Sequence, residues 1–384
     1  MILSEDMMIY ADNAATTALS EHALEKMMPY LKETYGNPSS TYIFGQKAKE
    51  AIETSRETIA NVFCAKPSEI TFTSCGSEAD NQALFTAARL GLKAGKKHII
   101  STKIEHHAVL NTLKELEKEG FKITLLDVDE SGIVNPENIR DSICDDTCLV
   151  SVMYANNEIG TIQPIEEIGA ICHEKNVLFH TDAVQAAGHI KIDVNNDNID
   201  LLSISAHKFH GPKGIGALYA RSGIELSPVI FGGSQERGKR AGTENVAAIV
   251  GMAAALKESY DDLEAYTKTL IPLRDKLIGQ LCKIPGSKLN GDKNLRLPGN
   301  VNLSFKGVEG EELLLLLDKA GIAASSGAAC ASGSLEPSHV LKAIGCPDDM
   351  IRGALRLTID TDISEKDTEY MAETVRTVIT KLRH

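Results

Sequence analysis

The chain has no run of about 18–20 uncharged residues, the length a helix needs to cross a bilayer, so its sequence excludes a helical membrane span. Its first residues, Met1-Ile2-Leu3-Ser4-Glu5-Asp6, lack a basic stretch, which argues against a secretory signal and for a cytoplasmic protein. Basic residues are in deficit: 40 Lys and Arg stand against 53 Asp and Glu, leaving −13, so nucleic acid is not expected as a partner. The eight cysteines include no CxxC pair, and no histidines cluster at zinc-ligand spacing, so no metal site is expected. Scattered cysteines without a signal fit reduced thiols. There is no internal repeat and no low-complexity tail.

What is present is an alternation. With 384 residues the chain exceeds one ordinary core. Apolar β-type runs at Ile70–Thr73, His98–Ser101, Lys122–Leu126, Leu149–Tyr154, Val177–His180, Leu201–Ser205 and Ala217–Ala220 alternate with amphipathic stretches such as Glu78–Leu92, Ala108–Glu119 and Pro164–Lys175. That order predicts an α/β fold, a large domain with a mostly parallel sheet covered by helices on both faces. Beyond it, a long helical segment (Val246–Leu281, broken near Pro272), a strand Val301–Phe305, a helix with the run Leu313–Leu317 and a closing helix Ser364–Leu382 predict a smaller C-terminal α+β domain. The expected division is 16–261 for the large domain, with 1–15 and 262–384 forming the small one. The segment Asp12–Thr17 lacks periodicity and reads as a loop returning to a site.

In such a sheet, ligands gather beyond the carboxyl ends of the strands. The run Leu201–Ser205 ends in Ala206-His207-Lys208, followed by a loop with Gly211, Gly214 and Gly216. A lysine delivered to a strand end beside hydroxyl and imidazole donors suits a Schiff base with pyridoxal phosphate, although an isolated lysine near glycines is ordinarily a solvated turn residue. Other strand ends add to it. Gly76 and Ser77 open a helix and offer N–H groups and a hydroxyl to a phosphate, or a plain cap. His106 could stack on a planar ring and exchange a proton. Asp182 could face a ring nitrogen and Gln185 a ring hydroxyl, while Ser205 and His207 suit an anion. Each is weak alone; their joint placement is not.

These residues resemble the cysteine desulfurases of the nitrogen-fixation and iron–sulfur type, within the class V aminotransferase-like group. The resemblance is carried by Asp12–Thr17, Tyr35–Ser40, Thr73–Asn81, Glu105-His106, Asn156–Gly160, His180–Gln185, Ser205–Gly214, Arg240–Asn245, Ser325–Cys330, Glu336–Leu341 and Leu355-Arg356. It implies fold type I of the pyridoxal phosphate-dependent transferases, Lys208 as the Schiff-base lysine, Asp182 on the ring nitrogen, Gln185 on the ring oxygen and His106 stacked on the ring. It also implies Asn157 contacting cofactor or substrate, and a phosphate held by Gly76, Ser77, Ser205 and His207, with Thr243 reaching in from the other subunit of a homodimer. Arg356 would clamp the substrate carboxylate, with Asn13 nearby. Five positions depart from the family pattern: Cys75-Gly76 where Gly-Ala is usual, Ser77 for Thr, Ser234 for a glycine and Asp360 for a glycine. None removes a chemical group.

The stretch Gly321–Ser334 holds almost only Gly, Ala and Ser around Cys330, which predicts a mobile loop. A thiol there suits a nucleophile that enters a site and leaves with cargo. With the resemblance, the expected reaction converts L-cysteine to L-alanine and leaves a persulfide on Cys330 for a sulfur-acceptor protein. Catalysis is expected of Lys208, Cys330 and His106. Selenocysteine lyase or an aminotransferase on the same scaffold is the alternative, and a non-catalytic sulfur relay is a third reading that would not need Lys208, Asp182, Gln185 and His106 together. The short C-terminus after the closing helix leans toward the nitrogen-fixation-like branch and leaves the acceptor open.

Overall fold

A computed structural model of the chain describes residues 8–326 and 337–384. Seven strands form the central sheet in the spatial order Ile70–Thr73, Gly216–Ala220, Leu201–Ser205, Leu178–Asp182, Thr147–Ser151, His98–Thr102 and Lys122–Leu126. Gly216–Ala220 runs antiparallel to both of its neighbours, and the other adjacent pairs are parallel. Five of the strands are buried along their whole length, as expected where helices cover both faces.

Strand alternation divides the apolar side chains between two cores. Ile100, Val150, Leu202 and Ile204 face one, with Ile59, Phe63 and Phe209; Ile99, Leu149 and Leu201 face the other, with Leu84, Leu113 and Leu116. The helix Gly76–Lys93 lies on the second face through Ala79, Ala83, Ala87 and Ala88. These small side chains let it approach the sheet closely, and a Cβ at Gly91 would stand 2.8 Å from the Cys148 Sγ.

After residue 262 the chain builds a three-stranded antiparallel sheet, in the order Ala354–Thr358, Asn300–Phe305, Ser287–Leu289. The helices Leu263–Leu281 and Glu365–Leu382 close a third core around Leu270, Leu277, Leu303, Phe305, Leu357 and Val375. The chain's start joins this part, since Ile9–Tyr10 pairs in parallel with Ile322–Ala323. The long helical segment is interrupted at Asp262 (φ −99°, ψ 2°), not near Pro272 as the sequence predicts. Pro272 sits within a continuous helix, because Leu270, Arg274, Leu277, Ile278 and Leu281 bury one stripe on both sides of it. Among the described residues no helix is long and apolar enough to cross a membrane.

One buried ion pair fixes the segment that follows the sheet. Arg56 donates to both Glu236 oxygens at 2.8 Å, and Glu236 also accepts from the Phe72 N–H at 2.9 Å. The Arg56 guanidinium lies 4.7 Å from the Phe72 ring centroid. Glu236 and Arg237 hold positive φ (48° and 59°), a conformation unfavourable to side-chain-bearing residues unless their surroundings impose it. Removing one partner strands the other charge in the interior, so Glu236→Ala should lower unfolding stability by about 3–5 kcal/mol in a urea titration. A loss below about 1 kcal/mol would contradict this role.

Candidate active site

The carboxyl ends of the parallel strands and the loop Asp12–Thr17 enclose a cavity of about 220 Å³. Lys208 reaches it from a 3₁₀ turn, Ala206–Lys208, directly after Leu201–Ser205. Its Nζ donates to the carbonyl oxygens of Ala14 (2.6 Å) and Ala15 (2.7 Å), and its own carbonyl accepts from His189 Nε2 at 2.9 Å. Gln185 Nε2 also donates to the Ala14 carbonyl, at 3.0 Å. The loop holds its shape because Tyr10 Oη donates to the Thr16 carbonyl and the Ala14 N–H donates to Thr358 Oγ1.

Asp182 ends the neighbouring strand, and its Oδ1 accepts the Val184 N–H at 2.9 Å. Burial raises its proton affinity, an effect opposed by that hydrogen bond and by the charge of Lys208. His106 caps the helix His107–Lys118, with Nδ1 accepting the Ala108 N–H at 3.1 Å. Burial, with Lys208 second, pushes its pKa down to about 4. A neutral ring that accepts at Nδ1 carries its proton on Nε2. His207 shows the same shift to about 4 for the same two reasons, and its Nδ1 lies 3.2 Å from Thr16 Oγ1.

Gly76 and Ser77 begin the helix Gly76–Lys93 at the cavity wall. A Cβ on Gly76 would lie 2.6 Å from Val184 Cγ2, so a bare backbone is what leaves this helix start open. The Glu78 carboxylate, one residue on, is taken by Arg240 at 2.9 Å and by the Ser74 N–H at 2.8 Å.

Of the residues singled out in the sequence, Gly76, Ser77, His106, Asn157, Asp182, Gln185, Ser205, His207 and Lys208 line this cavity together. Asn13 lies beside it, donating to the Thr358 carbonyl at 3.0 Å and lining an adjoining cavity with Gln185 and Asn300. Arg356 is almost wholly buried next to these groups; it donates to the Asn157 carbonyl and to Asp12 Oδ1, each at 2.8 Å. Its Nε has no hydrogen-bond partner among the described residues. Thr243 is exposed and does not line the cavity. Cys330 lies outside the described residues.

The sequence reading missed Asp12 as the partner of Arg356, the wall residues Met153 and Val184, and Asp80. A signal for Asp80 was available: it follows Gly76 and Ser77 by four and three residues, which places all three on one face of the helix.

The donor set divides by chemistry. The helix-start N–H groups of Gly76 and Ser77, the Ser205 hydroxyl and the His207 ring suit a phosphate. Asp182 and the His106 ring suit a protonated heteroaromatic ring, and the Lys208 amine lines the same cavity. A ring carrying a phosphate and a carbonyl fits this set, as the sequence resemblance leads one to expect.

Comparison with known proteins agrees. Residues 9–371 match the family model described as aminotransferase class-V. The chain is 53% identical over 378 residues to a Clostridium botulinum protein named cysteine desulfurase IscS, covering 98% of this chain and 95% of the relative. It is 50% identical over 383 residues to a Methanosarcina thermophila protein of the same name, covering 100% of this chain and 95% of the relative. A solved NifS-like protein superposes with a TM-score of 0.92 at 39% identity, over 98% of this chain and 100% of that one. A structure of SspA in complex with cysteine superposes at 0.79 with 36% identity, over 91% and 98%. The chain belongs to the aminotransferase class-V family.

Proposed function

We propose that this protein is a cysteine desulfurase, taking the sulfur of L-cysteine, releasing L-alanine and passing the sulfur on for iron–sulfur cluster assembly or other sulfur-containing products. The observation that carries the reading is the buried Lys208 amine, lining one cavity with a phosphate-suited helix start and the Asp182 carboxylate, in a chain about half identical to proteins of that name. Class V aminotransferases and cysteine desulfurases are pyridoxal phosphate enzymes. Bound in this cavity, that cofactor supplies an electron sink and a carbonyl carbon for lysine.

The residues divide the work as follows. Gly76, Ser77, Ser205 and His207 hold the phosphate, Asp182 the ring nitrogen and Gln185 the ring oxygen, with His106 against the ring. Arg356, always charged and already directed by Asn157, takes the substrate carboxylate in place of Asp12, with Asn13 beside it. Lys208, as an amine beside the substrate, would remove the Cα proton. His106, neutral with a proton on Nε2, returns a proton to the departing alanine carbon skeleton. The thiolate of Cys330 attacks the substrate sulfur. The C–S electron pair stays on carbon, which is protonated to the alanine methyl, and the sulfur remains as the Cys330 persulfide.

The division at 1–15, 16–261 and 262–384 is part of the proposal, supported by the separate apolar cores. So is a homodimer in the cytoplasm. Tyr35, Tyr42, Ile43, Phe44 and Phe231 are exposed, apolar side chains that a second copy would cover. Phe231 and Thr243 flank the segment that Glu236 pins to the helix Ile43–Val62, and the exposure of Thr243 supports a contact with a second copy's phosphate site.

Three outcomes test this. Lys208→Ala should lose the visible absorbance of the lysine-linked cofactor and slow sulfide release about 100- to 10,000-fold; an unchanged spectrum rejects the lysine assignment. Cys330→Ser should keep that absorbance yet release no sulfide from cysteine, and full-rate desulfuration would reject a persulfide on Cys330. Phe231→Asp should convert a dimer to a monomer in sedimentation velocity, whereas a wild-type monomer would remove the dimer from the reading.

A further inference from the structure

The cavity wall carries more acid than the proposed reaction uses. Asp80 is 1% exposed on the helix Gly76–Lys93, and its Oδ1 has no hydrogen-bond partner among the described residues. A carboxylate oxygen of Asp80, one of Asp182 and a ring nitrogen of His106 lie within 4.8 Å of one another. Behind them His180, on the strand that ends in Asp182, places Nε2 3.6 Å from Asp80 Oδ1. That ring is fixed between Ser151 Oγ at 2.8 Å and Ser203 Oγ at 3.1 Å. Burial pushes the His180 pKa to about 3, so that ring is uncharged beside Asp80.

We propose that Asp80 is a positioning residue that keeps one proton of the Asp80–Asp182 pair, so that a single negative charge, carried by Asp182, faces the cavity. Two carboxylates this close, both removed from water, do not ionise together. The groups around them decide which keeps the proton. Asp182 accepts the Val184 N–H and feels the charge of Lys208, which both favour its ionised form. Asp80 is opposed by Asp182, Glu105 and Cys75, against which the Ser203 hydroxyl favours its ionised form. Glu105, itself raised to about 8 by burial, and the neutral His106 lie on the segment ahead of the next helix, where Lys103 is turned out to pair with Asp127. Burial, and after it the charge of Asp182, raise Asp80 well above an ordinary carboxylate. Asp80 thus acts through Asp182, tuning the charge that holds a ring nitrogen protonated.

The sign of the linkage follows. A carboxyl whose proton affinity rises on folding favours the folded state at low pH, and that stability is lost as pH climbs from about 4 toward the raised folded value. The proposal rests on the functional reading only for what the charge is used for, so the cofactor-free protein tests it independently. Thermal unfolding of cofactor-free wild type, Asp80→Asn, Asp182→Asn and the double variant would be followed from about pH 5 to about pH 9. Asp80→Asn should gain on wild type as pH rises, by about 2 °C or more at the alkaline end. Asp182→Asn should flatten the same slope, and the double variant should add little further. A constant deficit of Asp80→Asn at every pH, with the slope of Asp182→Asn unchanged, would overturn the shared proton. In the cofactor-loaded protein, Asp80→Asn should keep the visible band over the wild-type pH range, whereas loss of that band near neutral pH would show that Asp80 must be ionised and reject the proposal.

Discussion

The hydrogen bonds from Lys208 to the carbonyls of Ala14 and Ala15 are the constraint on which the site depends. A buried amine must have its donors satisfied, and here the chain's own N-terminal segment satisfies them across nearly 200 positions of sequence. That segment is in turn fixed by Tyr10, Thr358 and His207. Two residues earlier it delivers Asp12 to Arg356, and one residue earlier Asn13 to the Thr358 carbonyl. The lysine end and the arginine end of the site therefore share one strap of backbone, and neither can shift without loading the other.

Burial sets the chemistry as much as geometry does. Histidines 106, 180 and 207 are all driven well below their ordinary values, chiefly by loss of water. Around them the carboxyls of Asp182 and Glu105 are driven the opposite way. The result is a wall of polar groups that are mostly uncharged near neutral pH, in which the few remaining charges act over short distances at low local dielectric.

Much of this was legible in the sequence because buried parallel strands read as plain apolar runs. Ile70–Thr73, Lys122–Leu126 and Leu201–Ser205 match to the residue. The errors fall where site and strand overlap. The strand Leu178–Asp182 runs on into Thr181 and Asp182, polar residues that masked its end, while Val152, Met153 and Tyr154 are apolar and buried but lie past the strand Thr147–Ser151. Pro272 misled because local breaking power was outweighed by a stripe of buried leucines. Asp12 and Arg356 are 344 positions apart, and nothing local in either segment announces the other. Asp80 hid among alanines on a helix face that reads as ordinary packing surface.

The single reversed strand in the sheet has a consequence for how the site is built. Because Gly216–Ala220 returns antiparallel beside Leu201–Ser205, the chain carrying Lys208 leaves and re-enters the sheet at the same end through a short connection, closed by Ala206 accepting from Phe209 and Gly211. A parallel neighbour would have required a long crossover instead. Closing a short loop sacrifices little chain entropy and brings together residues near in sequence. The lysine is thus placed by a local hairpin-like closure, while the segments bearing Ala14 and Arg356 come to the site from far along the chain.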